Sequence, residues 1–197
     1  MIGAVILAAG ESSRMGQDKA LLVYHGETFL SHILTTVRVA AIDCAVVAVA
    51  SMDSKIISDS MLPNEVFVLN DGGTAAGPIG SIRAAVTFFV NQMVDYLLVW
   101  PVDHPRVTAK TVSMLINRAT ATKAAITVPV FEGRRGHPVL FSRAVFPELL
   151  SAAADKGADA VVHLNPSRVL EVPVEDPAVV ENIDAQEAYR LLLTQEK

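Results

Sequence analysis

Two basic side chains, Arg14 and Lys19, lie in and just after a glycine-bearing segment near the N-terminus, residues 7–16. Glycines let the backbone come close to a ligand, and the N–H groups of such a loop bind anions. Two fixed cations beside these N–H groups suit a triphosphate, which carries several negative charges. The segment therefore predicts a phosphate site, while an exposed loop with solvated charges stays open as the alternative.

The spacing of the glycines separates this loop from two common phosphate-binding loops. A P-loop has four residues between its glycines, followed by Lys and then Ser or Thr. Here five residues separate Gly10 from Gly16, and Gln17 follows. The Gly-x-Gly-x-x-Gly pattern of dinucleotide-binding folds is also absent from the sequence. The loop therefore belongs to neither class.

A carboxylate, Asp103, closely follows the apolar run 96–100. In open parallel sheets, ligands bind where the strands end, at their carboxyl ends. Mg²⁺ prefers oxygen ligands and is held by few carboxylates together with substrate phosphates. We therefore predict that Asp103 is a metal ligand. Its neighbour His104 is interpreted as a partly exposed packing residue, because many histidines are simply structural.

Two adjacent arginines, Arg134 and Arg135, lie between Gly133 and Gly136 and precede His137. Guanidinium groups bind phosphate through two parallel hydrogen bonds, so this turn can hold a phosphate monoester. A basic hairpin tip without a ligand is the alternative, because exposed charges on turns are common. His137 either orients an acceptor or hydrogen-bonds to the backbone, and the sequence leaves both readings open.

The elements that must position these residues follow from the apolar pattern. Short apolar runs at 4–8, 46–50, 65–69 and 96–100 are typical of strands buried on both faces of a sheet. Segments with helical spacing of apolar residues separate them. This alternation predicts a three-layer α/β/α fold with a mostly parallel sheet. No linker or repeat interrupts it, so we expect one domain over residues 1–197.

The later elements add detail to this prediction. Strands at 125–130 and 138–141 flank the arginine turn, and we expect them to pair as an antiparallel hairpin. Thr108 is a predicted N-cap for a helix. Two or three short helices are expected between residues 143 and 164, followed by a late strand at 169–174 and a terminal helix.

The composition excludes several function classes. The net charge is −5 and basic residues form no run, which argues against nucleic acids and anionic membranes as partners. Cys44 is the single cysteine, so a disulfide framework and a cysteine-based zinc site are excluded. The first apolar run lacks the basic start of a signal peptide, and no apolar stretch could span a bilayer. We expect a cytoplasmic protein.

The N-terminal pattern resembles the signature of nucleotidyltransferases related to the molybdenum cofactor cytidylyl- and guanylyltransferases. The nucleotide-binding residues that the resemblance implies in this loop are Leu7, Ala8, Ala9, Gly10, Ser12, Ser13, Arg14, Met15, Gly16 and Lys19. It also implies the Rossmann-like fold of nucleotide-diphospho-sugar transferases. In relatives, the positions of Asn70, Gly77 and Ser81 line the nucleotide pocket as well.

Three further segments support the same resemblance. Asp103 and Pro105 are similar to the family's Asp-x-Pro metal motif, although His104 replaces the usual Gln or Met. The segment at 182–189 resembles the family's closing motif and implies that Asp184 is a second metal ligand, although it could instead cap the last helix. Residues 133–141 resemble the segment typical of molybdopterin cytidylyltransferases and imply that Arg134, Arg135, Gly136 and His137 bind the acceptor.

The resemblance implies an Mg²⁺-dependent transfer of a nucleoside monophosphate to molybdopterin cofactor, with Arg14, Lys19 and Asp103 as the catalytic residues. Ala9 resembles the cytidylyltransferase branch and favours CTP, whereas residues 77–80 are closer to the guanylyltransferase pattern. A molybdoenzyme that receives the product is a further implied partner. Transfer to a sugar phosphate, and a non-catalytic cofactor-binding chaperone, stay open as alternatives.

Overall fold

The computed structural model of the protein describes residues 1–10, 17–51, 53–60, 66–70 and 72–194. The strands are β1 Ile2–Leu7, β2 Val23–Tyr24, β3 Glu27–Thr28, β4 Cys44–Val49, β5 Val66–Leu69, β6 Tyr96–Pro101, β7 Ile126–Phe131, β8 Arg134–Arg135, β9 Val139–Ser142 and β10 Val169–Pro173. The α-helices are α1 Phe29–Val39, α2 Lys55–Ser60, α3 Gly77–Val90, α4 Ala109–Thr122, α5 Phe146–Ser151, α6 Gly157–Leu164 and α7 Gln186–Thr194. Short 3-10 turns lie at Lys19–Leu21, Gly73–Ala76, Arg143–Val145, Pro166–Arg168 and Pro177–Val179.

The main sheet runs in the order β10-β7-β9-β6-β1-β4-β5, with β8 added beside β7. β1 lies between β6 and β4 and is parallel to both. Its residues Ala4, Val5 and Ile6 are fully buried, because helices cover both faces of the sheet. The predicted three-layer fold with a mostly parallel sheet is therefore confirmed.

The antiparallel part of the sheet lies around the arginine turn. β9 lies between β6 and β7 and is antiparallel to both. β8 pairs with the end of β7 through a turn at Glu132 and Gly133, which both have positive φ values. The predicted hairpin is confirmed, and it brings residues 134–138 to the edge of the sheet where β6 ends.

Two layers of helices cover the sheet. One apolar cluster contains buried residues of α1, α2, α4 and α7, and the other contains buried residues of α3, α5 and α6. Thr108 caps α4 as predicted, because its side-chain oxygen accepts a hydrogen bond from the N–H of Thr111 at 3.3 Å. Within the described part of the chain, no helix has the length and apolar character needed to cross a membrane.

The β2–β3 hairpin and helix α2 were not predicted from the sequence. The β2–β3 hairpin turns through His25 and Gly26, which both have positive φ values. A two-residue turn with two positive φ values is the usual hairpin connection, but it normally shows Asn-Gly or Asp-Gly rather than His-Gly. The short helix α2 lacks a long periodic pattern, so it could not be predicted from its apolar residues.

Candidate active site

A cleft of about 880 Å³ opens at the carboxyl ends of the parallel strands. Parallel strands end at the same edge of a sheet, so residues far apart in the sequence meet there. The cleft borders the end of β1, the residue after β5 and the turn after β6. The predicted site residues that line it are Leu7, Ala8, Ala9, Gly10, Lys19, Asn70, Gly77, Ser81, Asp103, Arg135, Gly136 and His137.

The other predicted site residues fall into two groups. Ser12, Ser13, Arg14, Met15 and Gly16 lie outside the described residues, so their predicted roles stay predictions. Arg134 and Asp184 are described, but neither is among the residues that line the cleft.

The predicted phosphate-binding lysine and the predicted metal ligand form an ion pair. The ammonium nitrogen of Lys19 lies 3.2 Å from Oδ2 of Asp103, although 84 residues separate them in the sequence. About one fifth of each side chain is exposed, so water reaches the pair only in part. The sheet topology therefore brings a fixed cation and a carboxylate to the same point of the cleft, as a phosphate-and-metal site requires.

The main chain of Asp103 is held by the segment 176–184, which we call the C-terminal strap. The carbonyl oxygen of Asp103 accepts a hydrogen bond of 2.8 Å from the N–H of Ile183. The next residue, Asp184, is therefore close to Asp103 in the fold, and its carboxylate accepts a hydrogen bond of 3.4 Å from Asn182. The strap brings the two predicted metal ligands into the same region.

The chemistry of these donors fits a hard divalent cation. Among the described residues, no group of three or more His, Cys, Asp or Glu side chains is arranged to hold a metal ion. Mg²⁺ needs no such group, because one or two carboxylates, substrate phosphates and waters complete its coordination. Asp103, which lines the cleft, suits this kind of site, and Asp184 directly follows Ile183, whose N–H binds the carbonyl oxygen of Asp103.

The two arginines of the turn have different surroundings. Arg135 lines the cleft, and its Nε donates a hydrogen bond of 2.7 Å to Oε1 of Glu171 on β10. Arg134 does not line the cleft and lies opposite Phe131 in the ladder between β7 and β8, although both arginines are exposed. Successive residues of a strand point to opposite faces, which accounts for the difference. Arg135 is therefore the better placed of the two to meet a ligand.

The strap also fixes the turn that follows the arginines. The N–H of His137 donates a hydrogen bond of 2.8 Å to the carbonyl oxygen of Val179, and the N–H of Gly136 donates one of 2.9 Å to Pro129. A Cβ atom on Gly136 would lie 2.2 Å from the same Val179 oxygen. Only glycine fits this close approach of two backbones.

Replacing Gly136 by alanine is therefore expected to reduce the free energy of unfolding by roughly 3 kcal/mol, since the strap must move away. Gly133→Ala is the matched control, because a Cβ there meets nothing within 4 Å and only the φ of +77° is strained. That control should cost roughly 1–2 kcal/mol. Urea unfolding of both variants measures the difference, and equal losses would contradict the close-approach argument.

His104 is buried, with only 5% of its surface exposed, so the prediction of a partly exposed residue is wrong. Its Nδ1 lies 3.1 Å from the carbonyl oxygen of Ala178 in the strap, and its own carbonyl oxygen accepts a hydrogen bond from the indole of Trp100. A buried imidazole needs such partners, which a surface position does not require. The prediction that it is a packing residue agrees with these contacts.

His137 packs beside His104, with 5.1 Å between the two ring centres. Burial, together with the smaller effect of the neighbouring His104, lowers the pKa of His137 from 6.5 to about 4, while Asp103 opposes the shift. Its Nδ1 is buried and has no hydrogen-bond partner among the described residues. His137 is therefore a neutral imidazole at pH 7.

This pKa makes the stability of the protein depend on pH. Between about pH 4 and 6.5 the unfolded state binds a proton more readily than the folded state, so the contribution of His137 is present above pH 6.5 and is lost as the pH falls towards 4. The loss amounts to roughly 3 kcal/mol at most. Chemical unfolding at pH 7.5 and 4.5 should show a smaller difference for His137→Gln than for wild type. His163→Gln, at an exposed histidine, should keep the wild-type difference.

Asn70 and Ser81 form the other polar wall of the cleft. The amide nitrogen of Asn70 donates a hydrogen bond of 3.1 Å to the carbonyl oxygen of Gly77 at the start of α3. Its side-chain oxygen is buried without a partner in the described part of the chain. Since buried polar atoms are normally paired, this oxygen is a site for a hydrogen-bond donor on a ligand.

A family model for the MobA-like NTP transferase domain matches residues 4–171. The chain belongs to this family. The match includes residues 7–10, Asp103 and the arginine turn, which meet at the cleft.

Relatives of the MobA-like family support this assignment. A molybdenum cofactor guanylyltransferase of Rhizobium johnstonii is 31% identical over 139 residues, which are 70% of this chain and 61% of the relative. The alignments span only about three fifths of the length of the first curated relatives that the chain matches.

Solved structures extend the similarity to almost the whole chain. Rv0371c from Mycobacterium tuberculosis is 31% identical, with a TM-score of 0.84 and coverage of 98% of this chain and 97% of that one. A complex of Rv0371c with manganese is 29% identical, with a TM-score of 0.81 and coverage of 98% of both chains. That solved structure thus contains manganese.

This MobA-like chain has cleft residues that sequence reasoning did not identify. An apolar wall and the first turns of α6 complete the cleft. The residues of this wall and of α6 that line the cleft include Ile82, Val99, Val128, Val139, Phe141, Gly157, Ala158, Asp159, Val162 and His163. The strand residues among them were taken for ordinary core, because period-2 patterns do not distinguish a core face from a cleft wall.

Proposed function

We propose that this protein is a nucleotidyltransferase that transfers a nucleoside monophosphate from an NTP to the terminal phosphate of molybdopterin cofactor. The observation that carries the proposal is the Lys19–Asp103 ion pair in a cleft that residues 7–10 also line. A lysine and a glycine-bearing backbone suit phosphates, and a carboxylate beside the lysine suits a phosphate-bound cation. Family membership supports the same chemistry.

The reaction consists of one displacement at phosphorus. An oxygen of the acceptor phosphate forms a bond to the α-phosphorus, and the bond from that phosphorus to the bridging oxygen breaks. The electron pair leaves with pyrophosphate. Because the acceptor phosphate is already ionised at pH 7, no strong general base is needed, and positioning and charge stabilisation provide the rate.

Each charged residue has a place in this proposal. Lys19 and Arg14 hold the β- and γ-phosphates together with the amides of residues 7–16. Asp103 and Asp184 hold Mg²⁺, which neutralises charge on the phosphates when bound. We propose Mg²⁺ because all the protein donors are oxygen atoms. The related manganese complex supports a divalent cation in general.

The acceptor lies on the side of the arginine turn. Arg135 is the first candidate to bind the phosphate of the acceptor, because it lines the cleft. Arg134 does not line the cleft, so it is the weaker candidate. Gly136 and His137 border the same region. A transfer to a sugar phosphate keeps the same charges, but the molybdenum cofactor names of the relatives favour molybdopterin.

The names of curated relatives from Bacillus cereus and Rhizobium johnstonii, both molybdenum cofactor guanylyltransferases, favour GTP as the nucleotide. Residues 77–80 favour the same base by their pattern. The second candidate is CTP, which Ala9 and the arginine turn favour by resemblance. The names of the relatives therefore do not support the preference for CTP that came from the sequence. We propose GTP as the nucleotide.

The base can be identified by transfer of radioactive label. Purified protein, Mg²⁺ and molybdopterin are incubated with each of the four α-labelled NTPs, and label in the cofactor product is measured. Label from GTP alone supports the guanylyl proposal, and label from CTP alone replaces it with the cytidylyl one. Absence of label from every NTP, with cofactor still bound, would favour a non-catalytic chaperone.

A further inference from the structure

Two neighbouring carbonyl oxygens of the C-terminal strap hold two turns that border the cleft. The carbonyl oxygen of Ala178 lies 3.1 Å from Nδ1 of His104, in the turn with Asp103. The carbonyl oxygen of Val179 accepts a hydrogen bond of 2.8 Å from the N–H of His137, directly after the arginine turn. Because fixed bond lengths join adjacent peptide groups, this short stretch of the strap ties the two turns together.

Further contacts anchor the strap on either side of these two carbonyl groups. The carboxylate of Asp176 accepts hydrogen bonds of 2.9 Å from both the N–H and the hydroxyl of Thr108, at the start of α4. Beyond the carbonyl groups, Glu181 forms an ion pair of 3.1 Å with Arg106. These anchors do not involve the imidazole of His104. The strap therefore stays attached to the protein when that imidazole is replaced.

The buried imidazole of His104 lies where the strap and the two turns meet. Its Nε2 is 4.0 Å from Oδ1 of Asp103, and its ring centre is 5.1 Å from that of His137. A carbonyl oxygen can only accept a hydrogen bond, so Nδ1 carries the proton that is donated to Ala178. The indole of Trp100 fixes the main chain of the same histidine through a hydrogen bond of 3.0 Å. One side chain is therefore next to both turns and is bonded to the strap.

We infer that His104 is a positioning residue, which through the strap fixes the turn with Asp103 relative to the turn with Arg135 and His137. The inference rests on the proposed function, in which Asp103 acts on the side of the NTP and Arg135 on the side of the acceptor phosphate. An in-line displacement needs both substrates aligned, and a small displacement of either one lowers the rate. His104 does not line the cleft, so its loss should lower kcat and leave the binding of each substrate nearly unchanged.

Amide hydrogen exchange, followed by NMR, measures this connection without any transfer reaction. His104→Leu and His104→Met both remove the donor to Ala178 and keep an apolar side chain in the buried position. The N–H of His137 should then exchange at least about fivefold faster, because the strap carbonyl groups are held less firmly. His104→Asn should restore slow exchange, since its amide nitrogen is bonded to Cγ, as Nδ1 of histidine is.

The matched control is His32→Leu on α1, which also removes a contact between an imidazole and a carbonyl oxygen. Nε2 of His32 lies 2.6 Å from the carbonyl oxygen of Tyr24, in the β2–β3 hairpin, and this histidine does not line the cleft. The control should leave the exchange of the His137 N–H and the rate of transfer as in wild type. The thermal midpoint of each variant shows whether it is folded.

Steady-state kinetics then test the consequence for transfer. The leucine and methionine variants should lower kcat about tenfold or more, with KM for the NTP and for molybdopterin within about twofold of wild type, and His104→Asn should recover most of kcat. Wild-type exchange at His137 or wild-type kcat in a folded leucine or methionine variant would overturn the inference. An asparagine variant as impaired as these two would overturn it as well. Faster exchange in a protein that transfers no nucleotide would support the connection through the strap and reject the proposed function.

Discussion

Asp103→Asn is expected to lower kcat/KM for nucleotide transfer by about a thousandfold or more. The substitution keeps the shape of the side chain and removes the negative charge that the cation requires. The backbone carbonyl of Asp103, which accepts the hydrogen bond from Ile183, is unchanged, so the strap stays in place. Release of pyrophosphate measures the activity, and the thermal midpoint shows that the variant is folded.

The control for this variant is Glu187→Gln on α7, an exposed carboxylate that does not line the cleft. It should retain wild-type turnover. Turnover within a few-fold of wild type in a folded Asp103→Asn protein would refute the metal role of this residue and would leave Lys19 without its proposed partner in catalysis.

Lys19→Met is expected to lower kcat/KM by about a hundred- to a thousandfold, as loss of one fixed charge at a transferring phosphoryl group does. Methionine preserves most of the length and removes the ammonium group. Because Lys19 is proposed to hold the β- and γ-phosphates, affinity for the NTP should fall, whereas affinity for the corresponding NMP should change little. Calorimetric titration with both nucleotides measures this difference.

Lys110→Met on α4 is the matched control, since this lysine is exposed and lies outside the cleft. It should bind both nucleotides like wild type. Equal weakening of NTP and NMP binding in Lys19→Met would show that Lys19 does not distinguish the outer phosphates. Its contact with Asp103 would then be its main role.

The sequence identified the parts of the site that are local in the chain. Asp103 was predicted because it follows a buried strand, and β6 does end just before it, at Pro101. Gly136 and His137 were predicted by resemblance, and they line the cleft. In each case a short pattern was sufficient, because one strand or turn determines where the residue lies.

Other features depend on contacts between distant segments. His104 is buried because the strap, more than 70 residues later, provides the carbonyl oxygen of Ala178. The cost of a Cβ on Gly136 likewise comes from Val179 in the strap. Asp159 and His163 reach the cleft only because α6 packs beside α3, and the short apolar pattern of α6 does not specify that position.

The two arginines illustrate the same limit on a smaller scale. The sequence treats Arg134 and Arg135 alike, whereas in the structure Arg135 lines the cleft and Arg134, opposite Phe131, does not. The register of β8 against β7 determines which of the two arginines lines the cleft, and that register is a property of the folded sheet.

The most direct measurement of the central claim is pyrophosphate release by the purified protein, with a divalent cation and an NTP, in the presence and absence of molybdopterin cofactor. We expect release that requires the cofactor, the cation and Asp103 together, in a one-to-one ratio with the dinucleotide product. Absence of release with all four NTPs, in the presence of either Mg²⁺ or Mn²⁺, would contradict the proposal that this cleft transfers nucleotides.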